Sequence, residues 1–91
     1  LMVNYSDPHA FRNPNAKGGW DFPPQIDGLP EKPLPPSERT IFPFQQIDRE
    51  EQRVRTAGYY NAIERLDVGI GSLLDMLSAS GKADNTVVVF C

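Results

Sequence analysis

The sequence predicts an α/β fold built on a βαβ crossover, and three observations carry that reading. Apolar residues at 63, 66, 70, 73, 74 and 77 recur at helical spacing. The period then switches to an unbroken β-branched run, Thr86-Val87-Val88-Val89-Phe90, the pattern of a strand covered on both faces. A second strand-like run, Leu1-Met2-Val3-Asn4-Tyr5, stands far upstream. Strand, excursion, helix and strand in that order place the two strands parallel in one sheet, joined right-handedly, with their carboxyl ends on one edge.

The first strand is predicted over 1–5. Ser6-Asp7-Pro8 ends it, because proline donates nothing to a ladder and holds the residue before it in an extended or turn conformation. His9 therefore falls just beyond a strand's carboxyl end, where open α/β sheets place their ligand sites. The excursion over 6–47 holds all nine prolines, Pro23-Pro24, Pro30, Pro33, Pro35-Pro36 and Pro43 among them, and from Ala10 to Ile47 no helical or strand period is sustained. Excursions of this length are functional or disordered. Trp20, Phe22, Ile41, Phe42 and Phe44 punctuate it and favour an ordered surface loop, with turns at Gly18-Gly19 and Asp27-Gly28.

A helix is predicted over 48–80. Asp48 and Glu51 suit the N-cap and N3 positions of a capping box, and Glu51 and Arg55 are spaced for an i, i+4 ion pair. Gly58 is the expected point of a bend. Gly69 and Gly71 each cost about 1 kcal/mol against alanine in a helix, which close approach of a neighbouring backbone would offset. Gly81 fits a left-handed residue after the helix, and Asp84-Asn85 supplies turn chemistry before the strand predicted over 86–91.

A hydrophobic content of 40% is that of a globular chain, and a net charge of −3 with no basic stripe argues against nucleic acid as a partner. No apolar run approaches the roughly 20 residues of a membrane span. The single cysteine, Cys91, forms no internal disulfide and is expected as a small core residue. A two-sided strand served by one helix and one partner strand reads as an internal piece of a longer polypeptide.

Among the side chains that carry chemistry, His9 is either a hydrogen-bonded turn residue or a catalytic one. Asp7 is either a turn initiator or a group that orients the histidine ring or holds a cation. Asp67, beside the apolar stripe, reads as a half-buried carboxylate satisfied by nearby groups. Tyr59 and Tyr60 read as packing residues. No glycine-rich phosphate loop, no Cys/His metal spacing and no nucleophile–base pair is present.

The ordered set Tyr59-Tyr60-Asn61-Ala62-Ile63-Glu64, Leu66-Asp67, Gly71, Leu73-Leu74, Leu77, Gly81 and Asp84-Asn85-Thr86-Val87-Val88-Val89-Phe90, with Asp7-Pro8-His9 upstream, resembles the sulfatase family of the alkaline-phosphatase-like superfamily. The wording Asn4-Tyr5-Ser6-Asp7-Pro8-His9 is most similar to the branch holding the heparan N-sulfatases, or sulfamidases, although Phe11 stands where many members have proline.

The resemblance implies a mixed, mostly parallel sheet sandwiched by helices, and hydrolysis of sulfate esters or sulfamates, sulfated carbohydrates among them. It also implies a formylglycine made from cysteine or serine, a divalent cation, usually calcium, and a periplasmic, secreted or lysosomal setting. His9 matches the family's active-site histidine, which contacts the sulfate and assists the leaving oxygen or nitrogen; Asp7 is a further candidate for substrate contact. The formylglycine motif, Cys or Ser followed by X-Pro-X-Arg, is absent, so Cys91 is not the nucleophile, and no metal ligand of the family is matched. The piece alone is therefore expected to be inactive. Two other readings stay open: another hydrolase of the superfamily, such as a phosphodiesterase or phosphoglycerate mutase, and a non-enzymatic α/β interaction module whose proline-rich loop binds a partner.

Overall fold

The computed structural model describes residues 1–23, 35, 38, 43–46 and 48–91. The turn expected at Asp27-Gly28, the apolar positions Ile41 and Phe42, and Pro24, Pro30, Pro33 and Pro36 lie outside the described residues.

Regular structure begins inside the excursion. Strand β1 (Phe11–Arg12) pairs antiparallel with β2 (Trp20–Asp21), Phe11 opposite Asp21 and Arg12 opposite Trp20. Strands of two residues have no period to read, and their signal lies in the connection. Asn13 accepts from the Asn15 N–H through its side chain at 3.1 Å. Gly18 and Gly19 take φ of 92° and 75°, the left-handed region that lacks a penalty only for glycine. The turn read at Gly18-Gly19 is thus the closing bend of a hairpin.

Helix α1 (Glu50–Ala79) follows within the predicted span, 30 residues and about 45 Å long at 1.5 Å per residue. Its start differs from the expected capping box. Arg49 is the N-cap and no side chain caps it, because Asp48 is engaged elsewhere: Arg53 donates to both its carboxylate oxygens, at 2.6 and 2.5 Å. Those charge-assisted bonds hold the Asp48 carboxyl below its ordinary range and raise the Arg53 guanidinium. Glu51 and Arg55 do not pair with each other. Lys17 of the hairpin loop donates to Glu51 at 2.5 Å, and Arg55 donates to the Lys17 carbonyl, so both side chains tie the hairpin to the first turns of α1.

The helix runs unbroken through Gly58, and its glycines divide by what they meet. A Cβ on Gly58 would lie 3.0 Å from the Phe22 Cβ, and one on Gly69 would lie 3.1 Å from the Tyr5 ring, whereas Gly71 has nothing within 4 Å. Close approach therefore accounts for Gly69 and for Gly58 but not for Gly71, and the approaching groups are side chains of the upstream segment. At the far end Gly81 takes φ of 68° and its N–H bonds the Ser78 carbonyl at 3.0 Å, the left-handed exit expected for it. Ala83–Asn85 form a short 3₁₀ turn, closed by the Thr86 N–H on the Ala83 carbonyl at 3.1 Å.

The buried residues of α1 are Thr56, Ala57, Ala62 and Arg65. They place the packed face along 58, 62, 65 and 69, about one residue round from the stripe of 63, 66, 70, 73 and 77. Small side chains let the upstream segment lie close, while the larger apolar stripe stays half-exposed and Leu74 is exposed. Asp67 is exposed rather than half-buried, since it points away from that face.

The segments predicted as strands over 1–5 and 86–91 have no ladder partner among the described residues. Val87, Val88, Val89 and Phe90 are exposed, and Cys91 is exposed rather than in a core. A strand is buried by neighbours on its edges and faces, and the described residues set none against this run.

Candidate active site

The polypeptide from Tyr5 to His9 lies along the small-residue face of α1 and is attached to it twice. Tyr5 donates its hydroxyl to the Gly69 carbonyl at 3.1 Å. Arg65 reaches Asp7 with a two-pronged contact, Nε to Oδ2 at 2.9 Å and Nη2 to Oδ1 at 3.2 Å. The Arg65 side chain is only 6% exposed and that of Asp7 only 18%, so this is a largely desolvated ion pair.

Between these attachments and the hairpin the chain turns sharply. The Asp7–Pro8 peptide bond is cis, and the His9 N–H closes the turn on the Ser6 carbonyl at 2.9 Å, the arrangement of a type VI turn. His9 is exposed at its end. Its side chain has no hydrogen-bond partner among the described residues, which leaves both ring nitrogens open to solvent or to a bound group.

Of the two side chains singled out from the sequence, then, His9 is presented outward and Asp7 is turned inward. Asp7 is the acceptor for Arg65, and no hydrogen bond joins it to the His9 ring among the described residues. Arg65 was not legible as part of the site: an arginine on the exposed side of an apolar stripe reads as a solvated charge. Its signal was its place among Gly58, Ala62 and Gly69 at intervals of four, three and four, a face too small in side-chain size to be left uncovered.

Tyr59 is a packing residue: its ring meets that of Phe22 edge-to-face, with centroids 5.8 Å apart, and that of Tyr60 at 5.9 Å. These contacts seat the hairpin exit on α1 just upstream of Arg65. A cavity of about 300 Å³ opens between hairpin and helix, lined by Lys17, Trp20, Asp21, Glu50, Val54 and Arg55 among others. None of His9, Asp7 or Arg65 lines it.

Among the described residues no group of three or more His, Cys, Asp or Glu side chains could hold a metal ion. No helix of the described residues is long and apolar enough to cross a membrane.

Comparison with known proteins supports a sulfatase-family relationship. The chain is similar to choline-sulfatase of Rhizobium meliloti (strain 1021), 28% identical over 103 residues that take in 100% of this chain and 20% of that protein. The chain thus spans about a fifth of the length of this curated relative. No family model matches the chain, and no solved structure matches it.

Proposed function

We propose that these residues supply the histidine-bearing turn and its supporting helix to the catalytic domain of a sulfuric ester hydrolase. The observation that carries the reading is the likeness to choline-sulfatase along the whole chain, in which the histidine is held outward on a braced turn. Sulfate esters are the substrate class, those of small alcohols and of carbohydrates included. The wording around Asp7-Pro8-His9 extends the proposal to sulfamates, as in the heparan N-sulfatases.

In this reading His9 meets the sulfuryl group. As an imidazolium it donates to a sulfuryl oxygen, and as the bond from sulfur to the leaving oxygen breaks, the electron pair passes to that oxygen and the proton of His9 neutralises it. The nucleophile, a formylglycine, and the divalent cation, calcium by family likeness, belong to residues other than those described, and this chain's own contribution is the proton donor and its mounting. The runs over 1–5 and 86–91 enter a mixed, mostly parallel sheet there, which covers the apolar residues exposed in the chain alone. Such enzymes work in periplasmic, secreted or lysosomal settings, and that is the setting proposed.

The test is His9→Ala in the full-length protein, assayed on sulfate esters with calcium supplied. A fall in kcat of about 10²–10⁴-fold is expected if His9 is the general acid. Unchanged kinetics in a well-folded variant would return His9 to an ordinary turn residue.

A further inference from the structure

We infer that Arg65 is a positioning residue for His9, acting through Asp7; the inference rests on the reading that His9 meets the sulfuryl group. Arg65 does not approach the reacting atoms. It sits in the packed face of α1, 7% exposed, and its two bonds grip the carboxylate of Asp7, 58 residues away in sequence. Asp7 is the second residue of the turn that His9 closes through its own N–H on Ser6. A displacement of the Arg65–Asp7 pair is therefore transmitted to His9 through the two peptide units on either side of Pro8, inside a turn closed by a hydrogen bond.

A single attachment would leave the turn free to swing about it. The second attachment removes that freedom: Tyr5 binds the Gly69 carbonyl, four residues and one helical turn beyond Arg65. Two anchors on one face of a rigid helix, holding residues 5 and 7 of the same short segment, define both the position and the direction in which residue 9 leaves. The chemistry of the anchor is suited to this. A guanidinium is planar and sets direction with two parallel bonds, where lysine would offer a point charge. Buried ion pairs contribute little net stability against apolar residues of similar size, so a forked pair here is better suited to fixing geometry than to holding the fold. A displacement of about 1 Å at a catalytic group is enough to cost on the order of 10²-fold in rate.

The experiment is a double-mutant cycle in the full-length protein, with two substrates: a nitrophenyl sulfate, whose leaving group needs little protonation, and an alkyl sulfate, whose leaving group needs it. Arg65→Gln is expected to lower kcat on the alkyl sulfate by about 10–10²-fold, less on the nitrophenyl sulfate, with KM changed little. Combined with His9→Ala it is expected to add no further loss, because Arg65 acts only through His9. If the two losses multiply, or if both substrates are slowed equally, the positioning role is overturned while the function of His9 stands. If His9→Ala alone has no effect, the reading of His9 fails first and this inference with it. Should Arg65→Gln not fold, Arg65→Lys carries the same cycle, keeping the charge while losing the fork. The milder Tyr5→Phe, which removes the other anchor, is expected to show the same leaving-group dependence on a smaller scale.

Discussion

The Tyr5 hydroxyl donates to the Gly69 carbonyl at 3.1 Å, and its ring edge would lie only 3.1 Å from a Cβ on Gly69. Helical carbonyls normally accept from their own helix, and a second donor reaches this one only because residue 69 has no side chain. The glycine that weakens α1 locally is what lets the upstream segment dock.

Substituting the helical glycines with alanine should therefore give three different results. Gly71→Ala meets open space and should strengthen the helix by about 1 kcal/mol. Gly69→Ala gains the same propensity but displaces Tyr5, and should come out near neutral. At Gly58 a Cβ would meet the Cβ of Phe22 at 3.0 Å, close to its own backbone, so overpacking of about 1–3 kcal/mol should prevail. Hydrogen exchange of the α1 amides would read all three. Equal protection in Gly58→Ala and Gly71→Ala would show that Phe22 does not rest on this face.

Stability and geometry separate at Asp7 and Arg65. Asp7→Ala leaves a buried guanidinium without its carboxylate and should destabilise the folded protein by about 3 kcal/mol, near the low end for broken buried pairs because Asp7 keeps 18% exposure. Replacing both residues, Asp7→Leu with Arg65→Met, should recover most of that loss. Chemical denaturation of the single and double variants would check it, and a double variant no more stable than Asp7→Ala would count against a paired origin.

Acid should loosen the hairpin from the helix. Glu51 titrates below its ordinary value of 4.5, chiefly because Lys17 donates a hydrogen bond to it. A depressed carboxylate contributes stability above its unfolded pKa and loses it as the pH falls through the folded one. The docking should accordingly hold from neutral pH through the ordinary glutamate range and weaken only below it. The pair is exposed to solvent, so the effect is small, and 1 M salt, with a screening length of about 3 Å, should weaken it at any pH. Trp20 fluorescence against pH would follow it, and Glu51→Gln should abolish the acid limb.

How much of this was readable depended on how many residues share a signal. The apolar period over 63–77 gave the body of α1, Asp48 and Glu51 placed its start to within two residues, and Gly81 marked its exit because glycine takes that φ without penalty. The N-cap was misplaced by one residue, since Asp48 had a stronger partner in Arg53 than in the backbone. The hairpin was missed because two-residue strands are held by turn geometry rather than by pattern. At the candidate site, the turn that ends at His9 was legible from Pro8. The Asp7–Arg65 pair was not, because a contact across 58 residues leaves no local trace. The packed face was hidden for a related reason: Gly58, Ala62 and Gly69 add little to any hydrophobic period.

The final prediction concerns the 91-residue chain by itself. Val87 is 90% exposed and Val89 79%, in a run with high strand propensity and no partner among the described residues. Among the described residues the buried apolar side chains, Ala57 and Ala62, are small and supply little of the driving force that a cooperative fold requires. An unpaired β-branched segment offers its edges to other copies of itself. The chain at micromolar concentration should give the far-UV circular dichroism of a helix, melt without a sharp transition, and sediment as a mixture of monomer and larger species. Placing a charge in the run, Val88→Lys, should suppress the larger species while leaving the helical signal intact, because 86–91 and α1 do not depend on each other here. A monomer with a sharp, reversible transition would show that these residues complete a core of their own, and would remove the physical reason for setting a further sheet against them.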